Sequence, residues 1–294
     1  MNMFNFASRC LIAKFMAPKL LTVCAASLLS MAPLPVVPFA AGPALAVPAT
    51  LKDLVRIEVL DGGQTKRGTY IAALRLTLSD GWKTYWRAPG EAGIPPSFDW
   101  RGSRNLGDVV ITWPAPEVFE ANGLRTIGYK HQLVLPIEVT PAKPGQPVRL
   151  KGTIDFGLCS DVCIPGSLDF DHQIDPAAGR NPAIVAALAS RPYSAQEAGV
   201  RAATCRLSPS PSGLKVEARI TMPSTGGQEL AVIESGTPGI WATETESRRQ
   251  GDTLIASTDL SSDNGGAFAL NRSAIRITVL GTNHSVDIRG CDAG

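Results

Sequence analysis

Along most of the chain, apolar and polar residues alternate with period two, the spacing of a strand that buries one face, and not with the 3.6 spacing of an amphipathic helix. Val55, Ile57 and Val59 alternate with Arg56 and Glu58 and predict a strand that turns at Asp61-Gly62-Gly63. Ala72, Leu74, Leu76 and Leu78 predict a second, closed by Asp80-Gly81. Leu133 to Val139 predicts a third, which Pro136 assigns to a sheet edge or a bulge because proline lacks a ladder donor. The runs Val148 to Phe156 and Leu168 to Ile174 follow, and the segment between them, Gly157 to Gly166, reads as an exposed hairpin tip. Further on, Leu214 to Ile220, Leu230 to Glu234, Ile275 to Val279 and Val286 to Ile288 carry the same signal. One helix interrupts it, capped by Asn181, with Pro182 at its first position, running through Ala189 and stopping before Arg191-Pro192.

These elements predict an all-β chain: a first sandwich over residues 47–175, a junction with the short helix over 176–200, and a second, smaller sandwich-like module over 201–294. The first 46 residues stand apart. Arg9, Lys14 and Lys19 precede an apolar stretch from Leu20 to Leu29, then small residues and prolines, the pattern of a secretory signal peptide. Cleavage fits after Ala46 or after Ala41, the alternative being retention as an anchor, which Pro33, Pro35, Pro38 and Pro43 oppose.

The remainder carries 25 basic against 26 acidic residues with no Lys/Arg run, which excludes a phosphate-neutralising surface and therefore nucleic-acid binding. With 44% hydrophobic and 18% charged residues, disorder is excluded too.

Secretion gives the cysteines their meaning. Cys10 and Cys24 leave with the signal, and Cys159, Cys163, Cys205 and Cys291 remain in a compartment where disulfides persist, so two bridges are expected. A Cys205–Cys291 bridge closes about 87 residues and contributes roughly 4 to 5 kcal/mol, whereas Cys159–Cys163 closes about 5 and gives roughly 2. The long bridge reads as a structural staple from the first strand of the second module to its last. The short one stabilises little and reads as an exchange pair, in which a thiolate attacks a disulfide through a mixed-disulfide intermediate; a local loop clip is the alternative.

A metal would need ligands beyond Cys159 and Cys163, and His131, His172 and His284 are the sole histidines, with His172 on the returning strand. No metal and no cofactor are expected. Hydrolase chemistry is not supported, since the chain has no Gly-x-Ser-x-Gly elbow. Trp82, Tyr85, Trp86, Trp100 and Trp113 gather four of the five tryptophans into 32 residues, most of them as core of the first sandwich, with one or two rings left to shield the thiols.

Four stretches then carry a resemblance: Gly81-Trp82-Lys83-Thr84-Tyr85-Trp86-Arg87-Ala88-Pro89-Gly90, Trp113 to Phe119, Gly128-Tyr129, and Leu158-Cys159-Ser160-Asp161-Val162-Cys163-Ile164-Pro165-Gly166. In that order they resemble the N-terminal periplasmic domain of DsbD-type protein-disulfide reductases, in the branch linked to suppression of copper sensitivity. The resemblance implies an immunoglobulin-like sandwich in the periplasm that takes electrons from a membrane-embedded thiol-disulfide donor and passes them to periplasmic thioredoxin-like acceptor proteins. It implies Cys163 as the attacking thiol and Cys159 as the resolving one. Glu117-Val118-Phe119 looks like the family's cap loop, with Phe119 shielding the pair. Tyr85 is similar to an aromatic residue beside the family's thiols, and Lys83 stands where a second would be. The three-residue spacing within the pair and the lack of a membrane segment after it differ from a full-length reductase. The reading from another class is a non-catalytic binding module, or a thiol-based copper-handling protein, whose short disulfide is purely structural.

Overall fold

The computed structural model describes residues 50–121 and 123–294, so the expected signal segment, residues 1–46, lies outside the described residues. Among them, no helix is long and apolar enough to cross a membrane.

A single helical turn, α1 (Leu51–Leu54), leads into ten strands: β1 (Val55–Gln64), β2 (Tyr70–Leu78), β3 (Lys83–Tyr85), β4 (Ser97–Asp99), β5 (Leu106–Ile111), β6 (Glu117–Ala121), β7 (Leu124–Lys130), β8 (Gln132–Pro141), β9 (Arg149–Cys159) and β10 (Cys163–Gln173). They form two sheets, one ordered β1-β2-β8-β5 and the other β10-β9-β3-β7-β6 with β4 added on β9. The alternation read from the sequence is what closes them face to face. Leu74 and Leu76 of β2, Leu135 and Ile137 of β8, and Leu150, Ile154, Phe156 and Leu158 of β9 meet in one core. Trp86 is fully enclosed there, and Trp100 stacks on Phe98 and meets Phe170 edge-on, so the tryptophan-rich stretch is mostly core.

Two sequence expectations are corrected. Asp61-Gly62-Gly63 is not a turn: β1 runs on to Gln64 through a register shift between Asp61 and Gln64, and the chain reverses at Thr65–Gly68. Gly63 has φ +83°, and a Cβ there would stand 2.3 Å from the Ala178 carbonyl oxygen, so the glycine serves a bulge pressed against a neighbouring segment. Pro136 is not on an edge strand, because β8 lies between β2 and β5. Its carbonyl accepts from Thr112 just past the last β5 pair, Ile111 with Ile137, so its missing donor points to where that ladder has already ended.

The helix stands where it was expected, as α2 (Pro182–Ala189), with the Asn181 side chain accepting from the Ala183 amide at 3.0 Å. Ten more strands follow: β11 (Tyr193–Ser194), β12 (Ala202–Ser210), β13 (Gly213–Thr221), β14 (Leu230–Glu234), β15 (Ile240–Ala242), β16 (Glu246–Gln250), β17 (Thr253–Ser262), β18 (Arg276–Leu280), β19 (Ser285–Arg289) and β20 (Asp292–Ala293). They again make two sheets, β11-β19-β18-β14 facing β15-β17-β13-β12-β20, with β16 on β17, around a core that includes Val216, Ile220, Leu254, Ile277, Val279 and Val286.

The two cores share a wall. Ala231 and Ile233 of β14 belong to the second core, while Leu230 and Val232, pointing the other way, pack against the first, which Leu280 also enters. That two-sided burial explains the unbroken apolar run of β14. Beside it Arg87 donates to both carboxylate oxygens of Glu234 at 3.1 and 2.9 Å and to Thr278 at 2.9 Å, with its guanidinium over the Trp86 ring.

Candidate functional site

The site follows from register. In the β9–β10 hairpin Cys159 and Cys163 are the last pair, their Cα atoms 4.1 Å apart and their sulfurs bonded, with Ser160, Asp161 and Val162 as the tip. On the other side of β9, Lys83 of β3 lies opposite Cys159, and Lys130 of β7 lies opposite Lys83. Directly paired residues project from the same face, so Cys163, Cys159, Lys83 and Lys130 form one row across four strands.

Two residues along, Pro165 pairs with Gly157, and Tyr85 with Gly128, itself opposite Glu117; the β3–β9 pairing ends at Thr84 with Leu158, and the Tyr85 ring packs on Gly157 just beyond it. Tyr85 shares the face of Cys159 and Lys83 and is 1% exposed, yet its hydroxyl reaches the Cys163 Sγ at 3.1 Å. Gly157 makes that placement possible, since a Cβ on it would stand 2.7 Å from two ring carbons of Tyr85. Burial pushes the Tyr85 hydroxyl above its ordinary pKa, so it keeps its proton and remains a donor beside sulfur.

The exposure of the two cysteines differs. Cys159 is buried and Cys163 is exposed, so the tip covers one sulfur-bearing residue and presents the other. Val162 between them is 63% exposed.

Glu117-Val118-Phe119 lies in β6, hydrogen-bonded in a hairpin with β7, and is therefore strand and not the expected loop. Phe119 pairs with Thr126, and both lysines of the cysteine row reach its ring, Lys83 Nζ at 4.9 Å and Lys130 Nζ at 4.6 Å from the centroid. Glu117 in turn meets Lys130 at 3.6 Å. Tyr85 is thus brought against the pair directly, while Phe119 and Glu117 adjoin the lysines of the same row. Burial, and then the like charge of Lys130, push the Lys83 ammonium below its ordinary pKa.

From sequence alone Lys83 has no role of its own, and nothing singles out Lys130. The signal was present: Lys83 and Tyr85, like Lys130 and Gly128, are two apart, and period two puts each couple on one face of its strand.

The second bridge differs in setting. Cys205 of β12 is fully buried and bonded to Cys291, and the Cys205 carbonyl accepts from Arg272 Nε at 3.1 Å and from the Gly294 amide at 3.2 Å. Among the described residues no group of three or more His, Cys, Asp or Glu is placed to hold a metal ion. His172 stands nine residues from Cys163 on β10, about 30 Å along the strand, and meets Asp61 at 2.8 Å.

Comparison with known proteins now bears on this geometry. Residues 58–173 match the family model described as thiol:disulfide interchange protein DsbD, N-terminal. This sandwich is DsbD-like. The solved N-terminal periplasmic domain of ScsB from Proteus mirabilis is 22% identical, covers 85% of this chain and 97% of its own, and superposes with a TM-score of 0.63. At that identity the likeness is one of fold, and it extends beyond the DsbD-like sandwich into the second one. The N-terminal domain of DsbD from Neisseria meningitidis in its reduced form is 20% identical over 44% of this chain and 86% of its own, with a TM-score of 0.24. No curated protein sequence matches the chain. The family resemblance and the immunoglobulin-like sandwich fold read from the sequence are both found.

Proposed function

We propose that the chain is a periplasmic thiol-disulfide exchange domain that accepts electrons from a membrane-embedded dithiol and passes them to thioredoxin-like proteins through Cys159 and Cys163. The observation that carries this reading is the placement of the pair at a hairpin tip with the buried Tyr85 hydroxyl 3.1 Å from the Cys163 sulfur. A loop clip has no use for a buried donor aimed at its sulfur, whereas a thiolate does.

In the forward step the Cys163 thiolate attacks one sulfur of the acceptor disulfide. A mixed disulfide forms, and the acceptor's other sulfur leaves as a thiolate and takes up a proton. Cys159 then attacks the Cys163 sulfur, which restores the Cys159–Cys163 bond and releases the acceptor as a dithiol with both electrons. Exposure of Cys163 and burial of Cys159 agree with an attacking and a resolving role. Phe119, with Lys83 and Lys130 against its ring, flanks the cysteine row and would shield the pair only by closing over the exposed Cys163, and the exposed Val162 offers an apolar contact at the tip. Cys205–Cys291 is a staple, and residues 1–46 are the export signal.

The test is the reduction potential of the pair, by equilibration with glutathione or dithiothreitol and mass spectrometry of trapped thiols. A pair that titrates above about −300 mV while Cys205–Cys291 stays oxidised is the expected result, and a Cys159→Ser variant should then trap acceptors as mixed disulfides. A pair as resistant as the staple makes the protein a bridged binding module instead.

A further inference from the structure

We propose that Lys83 is the cation that stabilises the Cys159 thiolate and so sets how fast the oxidised pair is reloaded with electrons, an inference that rests on the exchange reading above. Its basis is the row in which Cys163, Cys159, Lys83 and Lys130 stand side by side. Residues directly opposite across antiparallel strands have Cβ atoms about 4.5 to 5.5 Å apart; with the pair oxidised the Lys83 ammonium is turned toward Thr126 and Phe119, on the side away from β9, and rotation of the lysine side chain is what brings it to the Cys159 sulfur once that sulfur carries charge.

Lys83 also lacks a carboxylate. Among the described residues it makes no salt bridge, its hydrogen bond is to Thr126 Oγ1 at 3.5 Å, and its ammonium rests against the Phe119 ring. Lys130, its neighbour in the row, has Glu117 at 3.6 Å. A half-buried ammonium next to a second one, with no counter-ion, is the arrangement that gains most when a neighbouring sulfur becomes an anion. The lowered pKa of Lys83, from burial and then from Lys130, expresses the same deficit in the oxidised state.

The charged and titratable groups around the pair are few. From β3 come Lys83 and Tyr85, from β7 Lys130, from β6 Glu117, which Lys130 engages, and from the tip the exposed Asp161. Asp161 disfavours a thiolate. Tyr85 donates toward Cys163, which leaves Lys83 as the group that favours charge on Cys159.

The consequence falls on reloading. A donor thiolate attacks the Cys163 sulfur, a donor–Cys163 bond forms, and the Cys159–Cys163 bond breaks with its electron pair going to Cys159. Cys159 leaves as a thiolate, with no proton needed at that moment because Lys83 compensates its charge. The donor's second thiol, as thiolate, then displaces Cys163 and closes the donor's own disulfide. A leaving thiol of lower pKa leaves faster.

The experiment uses the full chain, with Cys205–Cys291 oxidised, and follows alkylation of Cys159 and Cys163 by iodoacetamide against pH, peptide by peptide, beside the rate of reduction by dithiothreitol at pH 7. Lys83→Met should raise the apparent pKa of Cys159 by about one unit and slow reduction by roughly threefold to tenfold, and Lys83→Arg should restore both. Lys83→Gln provides the same reading if the methionine variant does not fold, with near-ultraviolet circular dichroism as the check. A wild-type pair that exchanges readily, with folded neutral variants titrating as wild type, overturns the Lys83 inference and leaves the exchange reading standing. A wild-type pair that resists dithiothreitol overturns both.

Discussion

The two disulfides of this chain sit in sandwiches of one architecture and differ in everything around the sulfurs. Cys205–Cys291 ties β12 to the segment just before β20, spans 86 residues and lies in the second core. Cys159–Cys163 spans four, closes a hairpin that backbone pairing already closes, and faces a tyrosine hydroxyl and a row of lysines. The contrast teaches where chain entropy ends and chemistry begins. A cross-link between residues four apart closes a short loop and so removes little freedom from the unfolded chain, and in the folded one the ladder already holds both strands, so stability gives little reason for a cysteine at either place.

Breaking each bridge tests that contrast. Replacing Cys205 and Cys291 by alanine should destabilise the protein by about 4 to 5 kcal/mol, read from urea unfolding, while Cys159 and Cys163 still exchange in whatever fraction stays folded. The opposite pair of changes, Cys159→Ser with Cys163→Ser, should cost at most about 2 kcal/mol and abolish exchange with a partner disulfide. A double-serine protein that still reduces a disulfide sinks the site as drawn.

The join between the sandwiches ranks next. Glu234→Ala leaves Arg87 half-satisfied at the shared wall, with Thr278 as its main remaining partner and Asp287 at 3.9 Å. Its side chain and that of Glu234 keep 12% and 23% of their exposure, so the loss should be about 1 to 2 kcal/mol, below that of a fully enclosed pair. If β14 couples the two cores, the unfolding transition should also broaden, because they lose part of that coupling; an unchanged, sharp transition would assign the coupling to Leu230, Val232 and Leu280 alone.

Much of this molecule was legible in its sequence, and what was not has identifiable causes. The strands β13, β14, β18 and β19 and the capped helix α2 carry strong local patterns and stand within a residue or two of where they were read. By contrast β17, a long strand central to its sheet, escaped notice because its buried face includes Ala256 and Thr258 between Leu254 and Leu260, which flattens the apolar contrast. Pro136 reads in the sequence as an edge or bulge position because the rule for proline concerns a missing donor, and sequence does not tell which side that donor faces. At the site, Cys159, Cys163 and Tyr85 were found through motifs. The lysine row was not, since β3 has its neighbours in β7 and β9, some 45 and 75 residues downstream, and nonlocal pairing decides which side chains share a row.

The smallest expected effect separates two carboxylates that look alike. Asp99 in the first sandwich is lowered to a pKa of about 2 by its hydrogen bonds to Arg101, but the two residues are only two apart in sequence and their side chains are 37% and 90% exposed, so the same local pair forms in the unfolded chain and should contribute little to folding. Asp287 in the second is half-buried. Burial opposes its ionisation, and still the hydrogen bonds and charge of Arg276, with Arg87 and Arg289 behind, hold its carboxyl below the ordinary aspartate value. A folded pKa below the unfolded value of about 3.9 contributes stability that is present above that pH and is lost as pH falls through the folded pKa. Asp287→Asn should therefore be less stable than wild type at pH 7 by no more than about 1 kcal/mol, and the gap should close as pH falls through the lowered folded pKa, where wild-type Asp287 becomes protonated as well. Asp99→Asn should follow the wild-type curve at every pH. If the two variants respond to acid alike, the guanidinium cluster at the shared wall does not distinguish the buried carboxylate from the exposed one, and the coupling of the sandwiches is purely apolar.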